Sequence, residues 1–114
     1  MNASVRNSMF FELRQYSIFP GKKMDWVQLM ENEIIPFQQS KGMVILGSFT
    51  AEDDESVYIW IRRFDSEQER EKLYEAVYQS EHWKNIIAPK IESLMDRSKI
   101  NVQRIEPTKL SALR

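Results

Sequence analysis

Residues 57–69 read Val57-Tyr58-Ile59-Trp60-Ile61-Arg62-Arg63-Phe64-Asp65-Ser66-Glu67-Gln68-Glu69, and the change of period inside this stretch decides the fold. Up to Phe64 the side chains alternate. Val57, Ile59 and Ile61 fall on one side, and Tyr58, Trp60, Arg62 and Phe64 on the other. Period two in β-branched and aromatic residues predicts a strand. At Ser66 the alternation stops. A hydroxyl residue followed three positions later by Glu69 is a capping box, in which two side chains satisfy free amides at a helix start. The sequence therefore predicts a strand running straight into a helix that continues to about Tyr78.

Working outward, Met43–Thr50 (MVILGSFT) predicts a second strand, weakened in its middle by Gly47. Only the acidic loop Glu52-Asp53-Asp54-Glu55 and its flanks separate the two, so they should pair as an antiparallel hairpin. Before them, Val27, Met30, Ile34 and Phe37 make one apolar helical stripe between Lys22 and Ser40, widened by Trp26 and Ile35. Pro36 predicts a kink just before it, and Gly42 a helix stop. Residues 9–18 alternate again, with Phe11 and Leu13 opposite Glu12, Arg14 and Tyr16, and Pro20-Gly21 ends that strand with a turn. Beyond Tyr78, Ser80–Trp83 interrupts the helix. Ile86, Ile87, Ile91, Leu94 and Met95 mark a further helical stretch bent near Pro89. Ile100–Glu106 alternates as a fourth strand, which Pro107 stops.

The order is β-α-β-β-α-β, the split βαβ or ferredoxin-like topology, an α+β fold with a four-stranded antiparallel sheet and helices on one face. The domain is expected at residues 9–106, with a flexible N-terminus at 1–8 and a tail at 107–114. The sheet's other face would carry Phe11, Leu13, Val57, Ile59 and Ile61. Parity alone leaves that side assignment open, because one bulge would reverse it. Leaving so much apolar surface in water costs ~25 cal/mol per Å², so a homodimer with two sheets face to face is expected.

The 114 residues and 13.6 kDa suit one domain. With no cysteine, disulfide scaffolds, thiolate metal sites and cysteine nucleophiles are excluded. His82 is the only histidine, so no multi-histidine metal site fits in one chain. Lys and Arg number 16 against 17 Asp and Glu, and a net charge of −1 speaks against a nucleic-acid footprint. No apolar run of ~18 residues suggests a membrane span. The N-terminus lacks the apolar core of a secretory signal, which makes the cytoplasm the expected location. No P-loop, dinucleotide fingerprint, nucleophile elbow or zincin motif occurs.

Four blocks in order carry a family resemblance. Phe11-Glu12-Leu13-Arg14-x-Tyr16 followed by Pro20-Gly21 resembles the first block of NIPSNAP proteins. Glu33-Ile34-Ile35-Pro36 resembles that family's kinked first helix. Val57-Tyr58-x-Trp60 with Phe64-Asp65-Ser66 is similar to its third strand and second helix, and Ser80-Glu81-His82-Trp83 to its small-acidic-Trp segment. One departure is the spacing from Trp60 to Phe64, two residues wider than the family pattern, which preserves parity. The resemblance implies a bacterial-type single-domain member and a dimeric α+β barrel. The wider superfamily includes cofactor-independent monooxygenases of aromatic natural products and heme-degrading monooxygenases. NIPSNAP proteins themselves have no agreed biochemical activity, and eukaryotic members are mitochondrial.

In barrels of this kind the small-molecule pocket lies between helices and sheet. The resemblance places Arg14, Tyr16, Tyr58, Trp60 and Arg62 there, with Trp83 from the bent helix. Arginine offers planar donors to a carboxylate, phenolate or enolate, and aromatic walls exclude water. An electron-rich ring deprotonated there could react directly with oxygen. The plainer reading is an ion pair between Arg14 and Glu12, with the aromatics filling core; both hold if the pair lines a pocket. His82 reads as a general base, as a heme axial ligand (a reading that Ile86 and Ile87 weaken, since heme-degrading relatives place their histidine in that stretch) or, more plainly, as a surface or capping residue. The Glu52–Glu55 run fits no EF-hand spacing and reads as a solvated loop. No cofactor and no metal are expected. The competing function is a non-catalytic protein-interaction module. RNA binding is a distant third, since the third strand lacks the glycines of an RNP1 motif.

Overall fold

Residues 8–114 are described by the computed structural model; the N-terminal stretch 1–8 lies, Ser8 apart, outside them. β1 (Phe10–Ser17), β2 (Val44–Thr50), β3 (Val57–Phe64) and β4 (Asn101–Ile105) form one antiparallel sheet in the order β2-β3-β1-β4. This is the ferredoxin-like arrangement, with the first and third strands in the centre. β1 and β3 pair without a bulge from Phe10 opposite Phe64 to Ser17 opposite Val57. The wider Trp60-to-Phe64 spacing is thus accommodated as regular strand, and it sets Arg62 on the same face as both rings. Gly47 marks a real irregularity. The β2 register shifts between Ile45 and Gly47, where the Phe49 ring occupies the space a Cβ would need.

The burial of β3 alternates without exception. Tyr58, Trp60, Arg62 and Phe64 are buried under the helices, and Val57, Ile59, Ile61 and Arg63 are half-buried on the open face. The parity assignment therefore holds. On that open face Leu13 is half-buried, while Phe11, set between Arg63 and Ile105, is buried.

The first helical segment has three parts: α1 (Lys23–Leu29), a π turn (Met30–Ile34) and α2 (Ile35–Ser40). Pro36 explains the middle part. It has no N–H, and its ring would meet the carbonyl one turn back, so the preceding turn widens and the Ile35 N–H bonds the Met30 carbonyl instead. The extra residue rotates the helix beyond it. Trp26, Leu29, Met30 and Ile34 are buried, but the next fully buried residue is Gln38, not Phe37. The sequence stripe is thus one position out of phase after the π turn. A Schellman cap closes α2: the Gly42 N–H bonds the Gln39 carbonyl and the Met43 N–H the Gln38 carbonyl, with Gly42 at φ 105°.

α3 (Glu67–Tyr78) begins at Ser66, whose hydroxyl accepts from the Glu69 N–H at 3.1 Å. The Glu69 carboxylate reaches back to the Asp65 N–H, one residue beyond the amide of an ideal capping box. After Ser80, which accepts the Trp83 N–H, the first helix's device recurs: a π turn (Trp83–Ile87) precedes α4 (Ala88–Ile91) and Pro89. The chain returns beside the end of β1 through the Phe19 N–H to the Leu94 carbonyl and the Asp96 N–H to the Ser17 carbonyl. Among the described residues no helix is long and apolar enough to cross a membrane.

Candidate functional site

Two polar centres lie between sheet and helices. The first surrounds Arg62, which is wholly buried. Its Nη2 donates to Glu12 Oε1 and to the Tyr74 hydroxyl, and its Nη1 to Gln38 Oε1 and the Tyr78 hydroxyl, all at 2.8 Å. Its guanidinium also stacks 4.7 Å from the centre of the Trp60 ring. Burial works to lower its pKa, but the oxygens of Tyr78, Tyr74 and Glu12 outweigh it and the pKa ends above the ordinary value. Tyr74 closes the centre by donating to the Glu12 carboxylate at 2.7 Å. Burial, then the Glu12 charge, push Tyr74 up to about 12 against the two arginines. This arrangement is a paired buried charge, the condition under which a buried ion is tolerated.

The second centre surrounds Arg14 and Tyr16, at the wall of a cavity of about 180 Å³. β1 supplies both residues, β3 supplies Trp60, and the two π turns supply Met30, Ile34 and Trp83. The Tyr16 hydroxyl accepts from Arg14 Nε at 2.8 Å and from Trp60 Nε1 at 3.0 Å. Burial pushes the Tyr16 pKa up, with the adjacent Arg14 opposing it, so the phenol keeps its proton at neutral pH. Arg14 reaches Tyr74 only at 3.3 Å and Glu12 only at 3.7 Å. The expected Arg14–Glu12 pair is therefore the weaker contact; the carboxylate belongs to Arg62. Trp26, also on the cavity wall, carries a buried indole N–H with no partner among the described residues.

Four of the residues expected at the site come together on this wall: Arg14, Tyr16, Trp60 and Trp83. Arg62 does not line it; it stands behind Trp60 and holds the tyrosines. Tyr58, buried on the same face, contributes instead to the wall of an open groove of about 660 Å³ beside α1 and β2, with its hydroxyl 2.6 Å from that of Ser48. Burial raises its pKa above the ordinary phenol value. Tyr74 and Tyr78 also line the cavity without being singled out by the sequence, and Trp26, which the sequence places only in the apolar stripe, lines it too. The repeat Arg70, Tyr74, Tyr78 on one face of α3 was the available signal. His82 is exposed and packs on Phe37 with ring centres 4.8 Å apart, away from the cavity. In the acidic loop Asp54 accepts from Ser56 and Glu55 from the Gly21 N–H. Tyr58, Trp60 and Phe64, the rings that would stack on RNA bases, are under the helices.

The NIPSNAP family model matches residues 11–111. Solved structures agree. A NIPSNAP family protein of unknown function from Agrobacterium tumefaciens is 24% identical over 95% of this chain and 96% of its own, with a TM-score of 0.84. A NIPSNAP-like domain protein from Burkholderia xenovorans is 18% identical over 92% and 90%, with a TM-score of 0.81. A Nitrosomonas europaea protein assigned by name to the antibiotic biosynthesis monooxygenases is 8% identical over 92% and 95%, at 0.68. No curated protein matches the chain.

Proposed function

The chain belongs to the NIPSNAP family, and from that premise we propose that it binds a small aromatic or acidic molecule in the cavity between sheet and helices. One observation carries the reading: the cavity wall joins aromatic rings to a guanidinium, Arg14, whose hydrogen-bonding capacity the protein leaves partly unused. Size sets the ligand class. Cavities of ~150 Å³ hold a benzene ring, so about 180 Å³ suits a single ring with a small substituent. The half-buried Leu13, Val57, Ile59 and Ile61 on the open face support a homodimer built sheet to sheet. A cofactor-independent monooxygenase is the enzyme class this reading leads to only for a ring that enters already ionised and electron-rich, since no side chain able to act as a general base lines the cavity among the described residues.

Native mass spectrometry of the purified protein tests both parts. The expected spectrum is a dimer that carries, or takes up on addition of benzoate, one small molecule per chain. A monomer that takes up nothing overturns the proposal. The competing interaction module draws on the open groove, where Met24 is 73% exposed beside Phe49. A bare dimer that refuses ligand and enriches one partner protein would favour it.

A further inference from the structure

We infer that the cavity takes its ligand as an anion already ionised in water, of the single-ring carboxylate class, with the anionic oxygens toward Arg14, Tyr16 and Tyr78. This rests on the small-molecule reading above and narrows it. Three observations on the cavity wall carry it.

The first is charge. Glu12, Arg14 and Arg62 form one buried group with a single carboxylate against two guanidiniums. Arg62 takes that carboxylate at 2.8 Å, while Arg14 stands at 3.7 Å, so the excess positive charge is the loosely paired one, at Arg14. Among the described residues the one other charged residue on the wall is Arg97, also a cation, which stands 3.9 Å from Glu92. A buried charge without a counter-charge is costly, and a ligand anion supplies one.

The second is hydrogen bonding. Every unspent polar group on the wall is a donor. The Tyr16 hydroxyl accepts from Arg14 and Trp60, and the Tyr78 hydroxyl accepts from Arg62 and Gln38. Neither has an acceptor for its own proton among the described residues. Arg14 Nη2 and Trp26 Nε1 are likewise without an acceptor there. A phenol whose oxygen already receives two N–H groups is polarised to donate. Such a wall complements oxygens that only accept.

The third is the missing base. Both Glu12 oxygens are held, Oε1 by Arg62 and both by Tyr74, and neither His82 nor any carboxylate lines the cavity among the described residues. The wall has no group to take a proton from a neutral phenol or enol. The ligand must therefore arrive ionised, as a carboxylic acid does above pH ~5.

All three tryptophans of the chain, Trp26, Trp60 and Trp83, line the cavity, so their emission reports on its occupancy. The experiment titrates the protein at pH 7 with benzoate, benzamide and phenol, following tryptophan emission. Benzoate should bind at least tenfold more tightly than either neutral ring. Arg14→Gln and Tyr78→Phe should each remove most of that preference, with benzoate losing far more affinity than benzamide. Circular dichroism confirms that each variant is folded, and using both keeps the test valid if one is not. Equal affinity for benzoate and benzamide overturns the anionic inference and leaves the cavity reading standing. Phenol binding as tightly as benzoate likewise overturns the anionic inference. No response to any probe overturns both the inference and the reading beneath it.

Discussion

Arg62 and Arg14 are diagonal neighbours on paired strands, since Glu12 stands opposite Arg62 and Arg14 opposite Trp60. They nevertheless do different work. Arg62 is fully buried and makes four hydrogen bonds of 2.8 Å to side chains from β1, α2 and α3. Arg14 is 16% exposed along its side chain, makes one short bond to Tyr16, and faces a cavity. The difference teaches that charge and burial do not mark a ligand site by themselves. Unspent bonding capacity beside empty volume does. Arg62 knits the helices to the sheet, and in doing so it fixes Tyr78, which with Arg14 and Tyr16 would meet a ligand.

The largest effect expected comes from that division. Arg62→Ala leaves Glu12 buried without its cation and should cost ~3–5 kcal/mol in urea unfolding. Arg14→Gln should cost less than ~1 kcal/mol, because the guanidinium is only loosely paired. Equal costs would break the comparison. Next in size, Tyr16→Phe strips the acceptor from Arg14 Nε and the buried Trp60 Nε1, and should cost ~1–3 kcal/mol. A loss as large as that of Arg62→Ala would make Tyr16 part of the structural centre. Ser66→Ala, remote from both arginines, should cost ~1 kcal/mol by removing the α3 cap, a scale against which the other three are read.

The smallest effect is in acid. Hydrogen bonds and charge from Arg70 and Arg104 hold the Glu67 pKa at about 2. A carboxylate depressed on folding stabilises fully above its unfolded pKa of ~4.3, and that contribution is lost as pH falls toward 2. Glu67→Gln should therefore flatten the stability curve between about pH 4.5 and 2, and change pH 7 stability by only ~0.2–1 kcal/mol. An unchanged acid limb would show that another carboxylate controls it.

The fold was legible because its signals are local. Alternation gave β3 at its observed bounds, and Ser66 gave the start of α3. The prolines announced a bend, but not that the bend would be a wide turn inserting a residue. That is why Phe37 was expected in the stripe and Gln38 is found there. Half the site was legible in the same way, since Arg14, Tyr16 and Trp60 share the helix-facing parity of their strands. Tyr74, Tyr78 and Gln38 were not. Their roles depend on hydroxyls and an amide meeting Arg62 across separations of up to 24 residues, and no local period encodes such a meeting. Tyr58 and Arg62 had the right parity, but parity does not say which stretch of a face opens into a cavity.

The most direct test of the account is a crystal structure of the protein with 4-bromobenzoate, located by the anomalous signal of bromine. The ring is expected between Trp26, Trp60 and Trp83, its carboxylate at ~2.7–3.1 Å from Arg14 and a tyrosine hydroxyl, and Arg62 undisturbed on Glu12. Bromine in the open groove beside Met24, with the inner cavity empty, would contradict it.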